Sequence, residues 1–230
     1  MHERYTYRPQ FSFTGPMTPM VKKIIIVSVV VYVLQVLLQL QGIPLIVYLG
    51  LIPLDVTHNF FVYQLISYMF LHGGPMHVLL NMFVISMFGG EIEYTMGSRK
   101  FLFYYLLCGI GSGIFTCIFS HNSLIPVVGA SGAIYGLLLA YGLFFPNRMV
   151  LMMFIFPMKV KFMVVIFAFI EFMSTISYAQ DGISHITHLG GMLVGLIYLL
   201  WFGGNLNIRG MKKEWRRLTV QDDHDERIFH

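Results

Sequence analysis

A chain of 230 residues that is 57% apolar and only 11% charged lies outside the range of soluble domains, where about a quarter of residues carry charge. Its net charge of +4 comes from basic residues clustered in a few places, which excludes a continuous nucleic-acid-binding face and reads as an orientation signal in a membrane. Cys108 and Cys117 fall on one predicted helix about 13 Å apart, so they cannot bridge each other and serve as apolar filler.

In chain order, residues 1–20 form a polar tail with Arg4 and Arg8. Six apolar stretches follow at Ile24–Gln41, Met76–Gly90, Phe101–Ser120, Ser131–Phe145, Lys161–Ile176 and Ser184–Phe202. A helical crossing takes about 20 apolar residues, so the short second and fourth predict helices that begin or end below the membrane surface. The first stretch is too long and too far inside the chain for a cleaved leader, and no small-residue cleavage site follows it. All fifteen Lys and Arg lie near the N-terminus (through Lys22 and Lys23), at Arg99 and Lys100, at Arg148, Lys159 and Lys161, or between Arg209 and Arg227. The positive-inside rule then puts both termini in the cytoplasm and the first, third and fifth loops outside. Residues 204–230 form a basic and polar cytoplasmic tail, in which "RGMKKEWRRL" predicts a short helix on anionic headgroups. The expected fold is all-α, a compact bundle of six transmembrane helices over residues 21–203 with no attached soluble domain.

Polar residues inside such spans are costly and mark sites. His77 and Asn81 open the second span, Ser131 and Tyr135 the fourth, and His185 and His188 the sixth. Spans two, four and six all run from outside to inside, so topology alone brings these three clusters to one depth near the outer face. His77 and Asn81 share a helix face at i,i+4, as do Ser131 and Tyr135. His188 continues into Gly191 and Gly195 at i+3 and i+7, and Gly132 and Gly136 form a second small-residue pair. Helices four and six are therefore expected to pack through these glycines, with Ser131 beside His188.

Such a group suits acyl transfer. A serine hydroxyl attacks only when a base within reach takes its proton, and His188 can be that base and later the acid. The developing oxyanion needs fixed donors, which the Ser131 amide at a helix N-terminus and the side chains of His77 and Asn81 can supply. Asn81 reads equally as interhelical glue. With no Asp or Glu expected at this depth, a Ser–His dyad is predicted, with Tyr135 holding the imidazole by stacking. Glu171 in the fifth span has no evident partner and reads as structural. His185 reads as a neighbour that hydrogen-bonds or faces water.

The segments "HGGPMHVLLN", "GASGAIYG" and "HLGGMLVG", with "GGEIEYTMGSRKF" after the second span, are similar to the signature segments of rhomboid intramembrane serine proteases of bacterial type. The resemblance covers about residues 20–203 and is specific in combination. It implies Ser131 as nucleophile, His188 as general base, and His77, Asn81 and the Ser131 amide as oxyanion donors. Tyr135 would be the stacking residue, His72 an outer structural histidine, and Gly129 and Gly132 the supports of the serine. It further implies transmembrane protein substrates entering sideways from the lipid bilayer and cut near a small residue. No metal and no cofactor are expected. The family's Trp-Arg pair in the first outer loop is Tyr63-Gln64 here, which keeps the aromatic anchor and drops the cation.

Three rivals are weaker. A metalloprotease lacks His-Glu-x-x-His and, on this reading, any carboxylate near the histidines. A transporter would show inverted repeats or paired intramembrane charges. A non-catalytic relative that only binds membrane helices typically lacks the serine or the histidine. The absence of a transit peptide and of a seventh span points to the plasma membrane of a bacterium, with the site open to the extracytoplasmic side.

Overall fold

The computed structural model describes residues 17–152, 155–177 and 184–202. The predicted N-terminal tail up to residue 16 and the basic C-terminal tail from residue 203 lie outside the described residues. Helix α1 (Pro19–Leu40) begins with proline at its first position, where the missing N–H would have no partner anyway. Its Ile26, Val30, Val33 and Leu37 remain exposed. In water that face would be an association surface, whereas hydrocarbon tails solvate it.

The free N–H groups that begin α1 are met from far along the chain. The Glu93 carboxylate accepts from the amides of Met20 at 3.1 Å and Val21 at 2.9 Å, from the Ser98 hydroxyl at 2.5 Å and from the Thr18 hydroxyl. Glu93 lies beyond the expected end of the second span at Gly90, and the span is longer than its apolar pattern suggests. Helix α5 (Pro75–Val84), a π turn (Ile85–Gly89) and α6 (Gly90–Met96), numbered after the short outer helices α2 to α4 described next, run on as one segment able to cross a bilayer. The second span is therefore not short. It extends because its two acids are partnered: Glu93 as above, and Glu91 by a close contact from Arg148 and a 3.2 Å hydrogen bond from Tyr141 Oη.

The connection from α1 to α5 carries α2 (Leu45–Leu49), α3 (Pro53–His58), α4 (Gln64–Ser67) and a 3-10 turn (Tyr68–Phe70). Gln64 is buried and accepts from the Ile52 amide at 2.9 Å, while Tyr63 Oη donates to the Tyr48 carbonyl at 3.1 Å. The pair thus braces this connection through a neutral amide and a phenol.

Helices α7 (Ser98–Phe119), α8 (Ser131–Phe144), α9 (Val160–Ile176) and α10 (His185–Phe202) complete the bundle. All six predicted stretches are helical. Among the described residues, α1, the Pro75–Met96 run and α7 are long and apolar enough to cross a membrane, whereas α8 and α10 are shorter apolar helices. The all-helical expectation needs one correction. Strands β1 (Met149–Met152) and β2 (Phe156–Lys159) form an antiparallel hairpin with Met149 opposite Lys159 and Met152 opposite Phe156. An apolar connection at a membrane surface satisfies its backbone by pairing with itself, and the sequence reading treated it only as a basic loop.

Helix α8 is the centre of the bundle, with Gly132, Leu137, Ala140 and Phe144 buried against its neighbours. Its approach to α10 is closest at Gly191, where a Cβ would collide with the backbone carbonyl of Gly132. Because that obstacle is backbone, it cannot swing aside. Gly191→Ala is expected to lower the melting temperature in detergent by an amount equivalent to about 1–3 kcal/mol. Gly74→Ala, where a Cβ meets nothing within 4 Å, is the matched control and should leave it unchanged.

Candidate active site

Ser131 is the first residue of α8, and the turn before it is pinned from two sides. Gly129 has φ +118°, a conformation that favours glycine. Its N–H donates to the Tyr68 carbonyl at 2.9 Å, and Val127 exchanges backbone hydrogen bonds with Leu51 at 2.8 and 2.9 Å. Tyr68 is itself fixed by Oη donating to the Gly109 carbonyl at 2.7 Å and lying 2.8 Å from Ser112 Oγ. On α10, His188 sits about a turn from the helix start, just before the close approach at Gly191. The outcome is a 2.8 Å hydrogen bond between Ser131 Oγ and His188 Nε2. Tyr135, one turn below Ser131, stacks on the imidazole with centroids 4.3 Å apart and planes 11° from parallel.

The other ring nitrogen overturns one expectation. A carboxylate does lie at this depth, because Glu171 on α9 is buried with Oε1 3.0 Å from His188 Nδ1. The contact is close but off the N–H axis, since Nδ1 has no aligned hydrogen-bond partner. Oε1 also accepts from Tyr135 Oη, and Oε2 lies 2.6 Å from His185 Nδ1. The serine and histidine therefore do not stand as a bare dyad, and Glu171 is not without a partner; His185 is the hydrogen-bonding neighbour expected from the sequence. The same cluster removes the ground on which a metal was set aside: ligand atoms of Glu171, His185 and His188 all lie within 4.8 Å of one another. The signal was available in the sequence. Glu171 lies about a turn and a half before the end of α9, and His188 about a turn after the start of α10, the next helix in the chain.

On α5, Asn81 is buried and its Nδ2 has no hydrogen-bond partner. His77 Nδ1 accepts from the Gly73 amide at 3.3 Å, which assigns the ring proton to Nε2. Both donors face the turn before Ser131: a Cβ on Gly129 would lie 2.7 Å from His77 Nε2 and 3.5 Å from Asn81 Nδ2. Side-chain bulk at position 129 is thereby excluded, and two N–H donors flank the serine's turn. His72 lies one layer out, fully buried, with its peptide N–H and C=O both held by the Gln35 amide of α1 at 3.1 and 2.7 Å. Its ring meets His77 edge to face at 5.2 Å, and its Nδ1 lies 3.2 Å from the Phe70 carbonyl. Gly132 supports the site through the backbone approach already described.

Fold and site together define a helical membrane protein with a serine hydroxyl held on an imidazole inside its bundle. The rhomboid domain model matches residues 59–205, and the chain belongs to the rhomboid family. Over 76 residues it is 38% identical to RHOMBOID-like protein 6, mitochondrial, of Arabidopsis thaliana, covering 33% of this chain and 24% of that protein. It is 25% identical over 146 residues to Rhomboid protein 1, mitochondrial, of Saccharomyces cerevisiae, covering 59% and 40%. It is 28% identical over 186 residues to Rhomboid-like protein 11, chloroplastic, of Arabidopsis thaliana, covering 77% and 63%. The chain thus spans less than two thirds of each of these relatives. Their mitochondrial and chloroplastic names lend no support to the bacterial type or the bacterial plasma membrane expected from the sequence. The localisation that stands is a membrane.

Burial pushes the His72 pKa down from 6.5 to about 4, with the neighbouring His77 adding to the shift. The folded state then holds fewer protons than the unfolded one between these values, so stability present above pH 6.5 is lost as the pH falls toward 4. The loss is on the order of 3 kcal/mol for a shift of this size. Melting curves from pH 7 to pH 4 are expected to fall steeply for the wild type and less steeply for His72→Gln. Equal slopes would assign the acid sensitivity elsewhere.

Proposed function

We propose that the protein is an intramembrane serine endopeptidase that cuts transmembrane segments of membrane proteins. The observation that carries the reading is the 2.8 Å hydrogen bond from Ser131 Oγ to His188 Nε2, formed between two helices inside the bundle. For that bond to activate the serine, Nε2 must accept and Nδ1 must carry the ring proton. Glu171 beside Nδ1 favours that tautomer and the imidazolium that forms next, and the Tyr135 ring limits rotation of the imidazole. Ser131 Oγ attacks the scissile carbonyl as His188 takes its proton, and the proton then passes to the leaving amine. The oxyanion is received by the Ser131 amide, the unpartnered Asn81 Nδ2 and the His77 Nε2–H, donors fixed before reaction and needing no rearrangement. Water then enters the acyl-enzyme by the same steps.

The substrate is a membrane-spanning helix taken from the bilayer, and the site opens toward the extracytoplasmic side. The membrane domain occupies residues 21–203, with six crossings, both termini cytoplasmic, and tails at 1–20 and 204–230. Neither metal nor cofactor takes part in the chemistry. Proteoliposomes with a single-span substrate test the reading. Ser131→Ala and His188→Ala should each abolish cleavage with the fold intact, and the double variant should be no worse, because residues acting as one unit are not additive. Turnover by Ser131→Ala would end the serine-protease reading. Specific retention of the helix without cleavage by the wild type would instead make the protein a membrane-helix-binding rhomboid.

Two further variants separate roles. Glu171→Gln is expected to lower kcat by roughly 10²- to 10⁴-fold, the range for removing the carboxylate that orients a catalytic histidine, with little change in KM. Asn81→Ala should lower kcat by about 10²- to 10³-fold without lowering the melting temperature, since its Nδ2 makes no hydrogen bond to lose. A lower melting temperature with full turnover would make Asn81 interhelical glue.

A further inference from the structure

From the cluster on the far side of the histidine ring, we infer that the protein carries an inhibitory site for a zinc-class divalent cation. It is formed by His185, His188 and Glu171, and it acts by taking the Nδ1 face of His188. The inference rests on the serine-protease reading for its effect and on geometry alone for the site. His185 and His188 are i,i+3 on α10, and their rings meet edge to face at 6.3 Å. Glu171 reaches the Nδ1 atoms of both, at 2.6 and 3.0 Å, and all three ligand atoms fall within 4.8 Å of one another. Two imidazole nitrogens and one carboxylate oxygen are a ligand set that Zn²⁺ takes, with the fourth position left to water. Bonds of about 2.0–2.1 Å in a tetrahedron set ligand atoms roughly 3.3 Å apart, so the 2.6 and 3.0 Å contacts open by about 0.7 and 0.3 Å while the widest separation, within 4.8 Å, closes by at most about 1.5 Å. His188 Nδ1, buried and without an aligned hydrogen bond, is the atom with least to give up.

The consequence follows from the proton count of one neutral imidazole. A metal bound through the Nδ1 lone pair displaces the ring proton to Nε2, with no net proton released. Nε2–H then donates to Ser131 Oγ and can no longer accept its proton, so the base is switched off while the ring stays in place. Binding is reversible, and removing the metal returns the proton to Nδ1.

The test uses purified full-length protein in proteoliposomes. Zn²⁺ is expected to suppress cleavage at micromolar concentration, and a chelator to restore it fully. His185→Asn keeps an N–H for Glu171 but is a poor zinc ligand. It should cleave within a few-fold of wild type and need about 10- to 100-fold more Zn²⁺ for the same inhibition, the scale on which zinc affinity responds to altered ligand support. In Ser131→Ala, Zn²⁺ should shift the Nδ1 resonance of a ¹⁵N-labelled histidine and leave Nε2 protonated. Co²⁺ should give tetrahedral ligand-field bands. Undiminished cleavage in saturating Zn²⁺, equal inhibition of His185→Asn, or no change in the histidine spectrum would each overturn the site. If His185→Asn fails to fold, the spectra of Ser131→Ala decide it. If the wild type never cleaves, the protease reading falls, and those same spectra still decide whether the metal site exists. Cleavage that requires Zn²⁺ and survives Ser131→Ala would overturn both.

Discussion

The site depends on two helix backbones touching. Where α10 meets α8, a Cβ on Gly191 would collide with the Gly132 carbonyl, so the two helices lie closer than any side chain would permit. In lipid there is little hydrophobic force to draw helices together, and close packing of small residues takes its place. That contact sets the distance between Ser131, one residue before Gly132, and His188, three before Gly191. A hydroxyl and an imidazole from two elements thereby acquire a fixed geometry without any covalent or charged link between them. The stacked Tyr135 ring and the Glu171 carboxylate then fix a histidine already delivered to within hydrogen-bond reach.

A second constraint shapes the rest: in a low-dielectric interior a polar group is either partnered or expensive. Each buried acid obeys it in a different way. Glu93 serves as the N-terminal acceptor of a helix from another part of the chain, Glu91 meets Arg148 and Tyr141, and Glu171 is shared by a phenol and two imidazoles. Buried groups left without a hydrogen bond, such as Asn81 Nδ2, are the more informative exceptions. A donor held ready without an acceptor is what transition-state stabilisation asks of a protein.

Much of this was legible in the sequence. The apolar runs locate the helices, and the polar clusters at the starts of the second, fourth and sixth stretches name Ser131, His188, His77 and Asn81, which the fold brings together. The glycine spacing on α8 and α10 named the helices that touch. What was not legible followed from treating charge as a marker of loops. Glu91 and Glu93 were taken to end a span that continues to Met96, because the apolar pattern cannot show that Arg148, Thr18 and Ser98 will satisfy them. Glu171 is not legible from the starts of the even-numbered spans, because it approaches His188 from near the end of α9. The β1–β2 hairpin was missed because an apolar stretch too short to cross carries no period that separates strand from loop.

The Glu93 contact also orders events in time. The acceptor for the opening amides of α1 lies 72 residues downstream of Val21, so that end of the helix cannot be closed until Glu93 has been synthesised. The Glu93 carboxylate closes that end by accepting from Met20 and Val21. Gln35 of the same helix holds the peptide of His72, so one helix joins the Glu93 carboxylate to the histidine layer beside the serine. Helix α1 is thus latched at two points, by Glu93 at its start and by the peptide of His72 further along.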